Sequence, residues 1–159
     1  MSRLRPNELL AMDHERRLRE TERFLHEQIP LTRAMQVSVE SFDDRQLILS
    51  APLAANHNHL GTAFGGSLAA LVMLAGYSLL WLELGDRDAH IVISESTLKF
   101  RRPVRGTIRA ICARPEADAL AAFQANFATR GKARINLRVV VEHDGEVAVE
   151  FEGTYVARR

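Results

Sequence analysis

The sequence has one cysteine and almost no net charge, and each scarcity excludes a class of protein. The single thiol, Cys112, cannot form an internal disulfide or supply a cysteine-based zinc site, and it is typical of a reducing compartment. A formal net charge of +1 over 159 residues gives no bulk attraction to nucleic acid or to an anionic membrane. We therefore expect no nucleic-acid partner.

The chain also lacks a secretory signal and a segment of membrane-spanning length. Its N-terminus, MSRLRPNELLAMDHERR, is charged throughout and has no apolar core of the kind a signal peptide needs. The uncharged segment Ser67 to Leu82 is shorter than the roughly 20 residues that cross a bilayer. These features predict a cytoplasmic protein with no membrane partner.

The apolar content of 47% and the charged content of 26% are those of one ordinary globular domain. Residues 7–28 predict a helix with Asn7 as its cap and Pro30 as its stop. Its apolar stripe is thin, which indicates a helix lying on a surface. We therefore divide the chain into an N-terminal helical extension, 1–30, and a main domain, 31–159.

The main domain alternates between strand and helix signals. From Met35 the apolar period is two, and FDDRQ interrupts it, which predicts a hairpin. The segments IVISESTLKF and GTIRAICAR predict two further strands, and EADALAAFQANF predicts a short helix or an irregular crossover. The last two strands, ARINLRVVVEH and EVAVEFEGTYVA, meet at the turn His143 to Gly145.

A helix predicted over 67–84 and ended by Gly85 and Asp86 is the most informative element. Apolar residues cover all its sides, so a sheet must surround it. A long antiparallel sheet curled around one buried helix is the hotdog architecture, an α+β fold. Its free edge needs pairing, which predicts a homodimer and allows a dimer of dimers.

The stretch NHLGTAFGGSLAALVMLAG, with LSAPL ahead of it and LKFRRPVRG after it, resembles the hotdog-fold thioesterases. Over residues 29–156 it is most similar to the thioesterase domain that forms the C-terminal part of YiiD-type acetyltransferases. Only some thirty residues precede the resemblance, so we do not expect acetyl transfer. The resemblance implies hydrolysis of an acyl-CoA or acyl-carrier-protein thioester, with CoA as part of the substrate and no other cofactor.

Thioesterases of the phenylacetate-pathway type carry Asn-x-x-Gly-x-x-His-Gly-Gly and, about two helical turns later, a catalytic carboxylate. The residues that match this motif are Asn58, Gly61, Gly65 and Gly66. Phe64 stands at the position of the histidine, as it does in the YiiD-type domain. Met73 stands at the position of the carboxylate, so the resemblance leaves the attacking group unassigned.

The motif residues suit the chemistry of thioester hydrolysis. Gly65 and Gly66 lie where a helix N-terminus presents free N–H groups, which predicts an oxyanion hole; alternatively, they only permit tight packing. Asn58 and His59 are predicted to orient or activate water, or else to cap the helix and hold the loop. We expect the neighbouring side chains to contact the substrate; they are His57, Phe64, Ser67 and Met73.

Other assignments remain open or fail. Glu95 is an alternative base, or an exposed strand residue. His57 and His59 supply at most two metal ligands where three or four are needed, so no metal site is predicted. A phosphate loop fails because no lysine follows the glycine pair. The competing functions are a non-catalytic module that binds acyl thioesters and a dehydratase, which needs the missing carboxylate.

Two basic clusters are candidates for holding the phosphates of CoA. One contains Arg101, Arg102 and Arg105, and the other contains Arg130, Lys132 and Arg134. The alternative for each residue is an ordinary solvated strand end.

Overall fold

The computed structural model describes residues 5–159, so the first four residues of the predicted 1–30 extension lie outside the described part of the chain. The helices are α1 (Pro6–Gln28), α2 (Pro30–Ala34), α3 (Gly65–Leu84) and α4 (Ala117–Arg130), with one 3₁₀ turn at Leu53–Ala55. The strands are β1 (Ser38–Phe42), β2 (Gln46–Ala51), β3 (His90–Phe100), β4 (Ile108–Ala113), β5 (Lys132–His143) and β6 (Glu146–Arg158).

All six strands form one antiparallel sheet in the order β1-β2-β4-β5-β6-β3. Both predicted hairpins are confirmed, β1–β2 and β5–β6. The second turns at Asp144 and Gly145, whose φ angles of 52° and 75° are the left-handed pair that a two-residue hairpin favours. The edges of the sheet are β1 and β3, and most of β3 is exposed.

The inner face of the sheet packs on α3. Along β5 every second residue is buried, and the first four members of that series are Ala133, Ile135, Leu137 and Val139. These side chains join the buried face of α3 in one core. The predicted hotdog fold is therefore confirmed, since a single antiparallel sheet covers one central helix.

The central helix begins at Gly65, two residues before the predicted start. Phe64 has extended backbone angles, and its carbonyl accepts the first helical hydrogen bond, from the N–H of Leu68 at 3.0 Å. At 20 residues α3 is long and apolar enough to cross a bilayer, but 56% of its apolar window is buried within the fold. Among its positions only Gly66 is exposed, so the prediction that α3 lacks a wet face is nearly correct.

The N-terminal helix α1 lies on the surface, as its thin stripe predicts, and it is docked by few side chains. Leu18 and Leu25 are buried, and the Phe24 ring stacks on Trp81 of α3 with centroids 4.0 Å apart. The predicted cap Asn7 is wrong: Arg5 is the cap, because Pro6 already has the helical φ that suits a first helical position. Of the two alternatives for EADALAAFQANF, the helix is correct: this segment lies in α4.

Candidate active site

The loop that precedes α3 is a closed turn. His57 and Ala63 form an isolated antiparallel bridge, and the Phe64 N–H donates to the Asn56 carbonyl at 2.7 Å. The Asn58 N–H donates to the Thr62 carbonyl, also at 2.7 Å. The loop therefore delivers the chain to the start of α3 in a defined geometry.

The side chain of Asn58 holds this turn together. Its Oδ1 accepts hydrogen bonds from the N–H groups of Leu60 at 2.9 Å and Thr62 at 3.2 Å, and its Nδ2 donates to Thr62 Oγ1 at 2.9 Å. This is the loop-holding alternative of the sequence analysis. One N–H of the amide has no partner among the described residues, so Asn58 can also donate to a ligand.

Asn56, which sequence reasoning missed, anchors the loop to the fold. Its side chain is 2% exposed, and its Nδ2 donates to the carbonyls of Met35 and Pro52 at 2.8 Å each. A buried amide with two backbone partners is a structural group. No local sequence signal separates it from the half-buried Asn58, because the partner Met35 lies 21 residues away.

The N-terminus of α3 presents free hydrogen-bond donors. The backbone N–H groups of Gly65, Gly66 and Ser67 have no partner among the described residues, and no side chain caps the helix. No acidic residue lies in the first turn to neutralise the positive end of the helix dipole. The arrangement suits a carbonyl oxygen that gains negative charge during reaction.

The space beside these donors is open and partly apolar. An opening of about 360 Å³ adjoins Gly65, and its other walls are Ala63, Leu68, Phe100, Arg101, Arg102 and Pro103. A Cβ on Gly65 would meet only the Phe100 ring, at 3.9 Å. A Cβ on Gly66 would instead collide with the Phe64 ring, whose Cζ would be 2.9 Å away. Gly66 is therefore required for the observed position of Phe64.

The two histidines of the loop are exposed and differ in their hydrogen bonding. His57 Nδ1 lies 2.9 Å from the Asn58 carbonyl, so the tautomer that is protonated at Nδ1 donates to it. The imidazole of His59 has no hydrogen-bond partner among residues 5–159, and Ser67 is half-buried in the first turn of α3. Within the same residues, no group of three or more metal-binding side chains converges.

The structure does not bring Glu95 to this site. A bulge at Ser94 shifts the register of β3, so that Ile93 pairs with Tyr155 on the inner face and Glu95 pairs with Thr154 on the outer face. Glu95 there borders a shallow polar surface with Asn136 and Thr154. Of the two readings of Glu95, the exposed strand residue matches this placement.

The basic clusters lie at opposite ends of β3. Arg101 and Arg102 are at the opening, in ion pairs with Glu150 at 2.8 Å and Glu146 at 2.6 Å. Lys132 pairs in register with Arg158, which pairs in turn with His90 at the start of β3. The length of β3 separates the two ends by roughly 33 Å at about 3.3 Å per residue. Within one chain Arg130, Lys132 and Arg134 are therefore remote from Gly65.

The half-buried side of α3 carries Met73 and, one turn later, Tyr77, which sequence reasoning missed. The Tyr77 hydroxyl has no partner among the described residues, and partial burial raises the pKa of its phenol. Its ring is nearly parallel to that of Trp81, with centroids 6.5 Å apart. The sequence analysis missed this hydroxyl, because tyrosine is counted as apolar when the periodicity of a helix is assessed.

Comparison with known proteins gives a family and several close structures. The family described as "putative thioesterase (yiiD_Cterm)" matches residues 18–159. A protein of unknown function from Chlorobaculum tepidum is 32% identical with a TM-score of 0.84, covering 92% of this chain and 96% of that one. A "putative thioesterase" from Shewanella oneidensis is 30% identical with a TM-score of 0.80, covering 89% of this chain and 97% of that one. A "probable thioesterase" of unknown function from Pseudomonas aeruginosa is 28% identical with a TM-score of 0.73, covering 88% of this chain and 94% of that one.

Proposed function

Because the chain belongs to the YiiD C-terminal thioesterase family, we propose that it hydrolyses an acyl thioester, with acyl-CoA as the substrate. One observation carries this proposal: the unpartnered N–H groups of Gly65, Gly66 and Ser67, at an opening wide enough for a carbonyl. Donors fixed before the reaction stabilise the oxyanion without reorganisation, and removing one such donor typically costs about 100-fold or more in kcat.

The proposed reaction uses water, the side chains of the loop and the first N–H groups of α3. The oxygen of water attacks the thioester carbonyl carbon, and the carbonyl oxygen takes up negative charge against the N–H groups of Gly65 and Gly66. The C–S bond then breaks, and the proton that the water gives up reaches the leaving thiolate. His59 is the group that carries this proton, and the remaining amide N–H of Asn58 orients the water.

The substrate's other parts have candidate partners on α3, beside Gly66 and at the opening. Apolar side chains from α3, among them Met73, contact the acyl chain, and Phe64 covers its entry beside Gly66. Arg101 and Arg102 lie where the phosphates of CoA would approach. Coenzyme A enters as part of the substrate, and the protein is proposed to act in the cytoplasm as a homodimer through the exposed edge β3.

A second candidate is a non-catalytic module that binds acyl thioesters in the same opening. Met73 favours it, because the related catalytic carboxylate is missing from that position of α3. The exposed imidazole of His59, which no described residue orients by a hydrogen bond, favours it as well.

Thiol release from acyl-CoA esters separates the two candidates when wild type is compared with His59→Ala and Asn58→Ala. We expect both variants to lose kcat by at least tenfold, because general-base assistance is typically worth 10²–10⁴-fold. The matched control is His14→Ala, which removes an exposed histidine from α1. Binding of CoA esters without any thiol release by wild type would establish the binding module instead.

A further inference from the structure

The carboxamide of Asn58 is held on both sides, but by groups of different kinds. Its Oδ1 accepts from the backbone N–H groups of Leu60 and Thr62, which any residue other than proline would supply at those positions. Its Nδ2 donates to a side chain, the hydroxyl of Thr62, at 2.9 Å. The nitrogen side of the amide therefore depends on the residue type at position 62, whereas the oxygen side does not.

Thr62 is itself fixed in place. It is 8% exposed, and its carbonyl accepts from the Asn58 N–H at 2.7 Å. The next residue, Ala63, donates its N–H to the Val104 carbonyl at 2.8 Å, which ties the turn to the segment before β4. A β-branched side chain has a restricted χ1 angle, so it holds its hydroxyl in a preferred direction. Thr62 Oγ1 is therefore a well-ordered acceptor for the Asn58 amide.

These contacts leave Asn58 with one amide N–H whose direction is set. The two N–H bonds of a primary amide lie in its plane, so holding the oxygen and one N–H fixes the direction of the other N–H. Turning the amide over would place its NH₂ group against the N–H groups of Leu60 and Thr62, donor against donor. The remaining N–H is the one that orients water in the proposed reaction, and only two residues separate Thr62 from the first residue of α3.

We infer that Thr62 is a positioning residue of the active site: its hydroxyl sets the orientation of the Asn58 amide, and through that amide the place of the attacking water. This inference rests on the proposed function. Thr62 acts through Asn58 and does not itself contact the substrate. A misplacement of about 1 Å can cost about 100-fold in rate, so the contact between Thr62 and Asn58 matters more to kcat than to stability.

Removal of the hydroxyl alone tests the role of Thr62. Thr62→Val keeps the shape of the side chain and loses the acceptor, so we expect kcat to fall about tenfold with KM within about twofold of wild type. Thr62→Ala, which lacks the acceptor and adds no bulk, is measured in parallel and should behave alike. Thr62→Ser restores the acceptor and should recover most of kcat.

The matched control is Thr21→Val, which removes a similarly buried hydroxyl from α1. Thr21 is 3% exposed, and its hydroxyl donates to the Arg17 carbonyl at 2.8 Å. This variant should lower the free energy of unfolding and leave kcat unchanged. A merely structural Thr62 would give the same result as the control.

A double variant shows whether Thr62 acts through Asn58. Asn58→Ala removes the group that Thr62 holds, so the combination of Asn58→Ala with Thr62→Val should have the kcat of Asn58→Ala alone. If Thr62→Val instead lowers kcat by the same factor in both backgrounds, the hydroxyl acts independently of Asn58 and the inference is wrong. Urea denaturation of each variant shows that kcat is compared among folded proteins.

The side-chain signals of Asn58 and the assay of thiol release together separate this inference from the proposed function. In ¹H–¹⁵N spectra, the NH₂ pair that disappears in Asn58→Ala should shift in Thr62→Val and return in Thr62→Ser. An unshifted pair, or thiol release by wild type with an unchanged kcat in Thr62→Val, refutes the role of Thr62 alone. If wild type releases no thiol from any acyl-CoA ester, the proposed function is refuted, and the role of Thr62 in the reaction with it.

Discussion

The hydroxyl of Tyr155 donates a hydrogen bond of 2.7 Å to the carbonyl oxygen of Met73, in the middle of the central helix. The contact ties β6 to α3. A Cβ at position 76 would lie 2.8 Å from Cε2 of the Tyr155 ring, so only glycine admits the ring here. Gly76 therefore sets the spacing between the helix and the sheet.

Gly76→Ala should destabilise the fold, although alanine is the better helix former. The propensity gain is about 1 kcal/mol, while overpacking a core contact costs about 1–3 kcal/mol, so we expect a net loss. Urea denaturation of wild type and variant measures the difference. A variant as stable as wild type, or more stable, would show that Tyr155 moves aside without cost.

Replacing Asn56 should destabilise the loop in front of α3. Asn56→Asp keeps the size of the side chain but leaves the Met35 and Pro52 carbonyls without their donor, beside a buried charge. Each orphaned group costs about 1–3 kcal/mol, and the burial of a carboxylate adds to this. The exposed Asn7→Asp is the matched control and should change the free energy of unfolding by less than about 0.5 kcal/mol.

Asn58→Asp should separate the structural role of Asn58 from its role in the reaction. A carboxylate still accepts from the N–H groups of Leu60 and Thr62, and the Thr62 hydroxyl can turn to donate to it. We expect stability to change by less than about 1 kcal/mol and kcat to fall at least tenfold, because the spare amide donor is lost. A loss of stability with an unchanged kcat would show that Asn58 holds the loop and takes no part in the reaction.

In the proposed homodimer, antiparallel pairing of the two β3 edges brings Lys132 beside the opening of the other subunit. Lys132→Ala should then raise KM for acyl-CoA several-fold and leave kcat unchanged, because an exposed cation at the phosphates contributes to binding alone. The increase should shrink at high salt. Lys99→Ala, an exposed lysine on the outer face of β3, is the control. If KM is the same for Lys132→Ala and wild type at every ionic strength, this cluster does not bind the substrate.

Cys112 should not react with thiol reagents in the folded protein. Its side chain is fully buried on β4, and burial raises the pKa of its thiol to about 12, so almost no thiolate exists at neutral pH. A disulfide reagent should therefore label no thiol before unfolding and one per chain in urea. Rapid labelling of native protein would show that β4 opens, and it would also interfere with assays of thiol release.

The sequence-based predictions hold where a repeating pattern fills a whole element. The alternation of β5 and the all-round apolar surface of α3 each follow from burial against the core, and so the hotdog fold is predictable. The position of Glu95 is not: strict alternation puts it on the inner face with Ile91 and Ile93. One extra residue at the bulge moves it to the outer face, and such an insertion leaves no mark in the residue types.

The other features that the sequence did not predict depend on contacts between segments that are distant in the chain. Asn56 and Asn58 look alike in the motif, but only the structure shows that one is buried against Met35 and the other closes an exposed turn. The Tyr77 hydroxyl has no partner within residues 5–159, and no sequence pattern displays an absent hydrogen bond. The Gly65–Gly66 pair is the exception, since glycines at the start of a helix predict open N–H groups directly.

The most direct measurement of the central claim is thiol release from a series of acyl-CoA esters of increasing chain length, followed alongside the carboxylic acid formed. The account predicts that at least one ester yields thiol and acid in equal amounts. It also predicts that Gly65→Val, whose side chain fills the opening without a close collision, lowers kcat at least tenfold with an unchanged unfolding transition. Tight binding of these esters with no thiol released from any of them would contradict it.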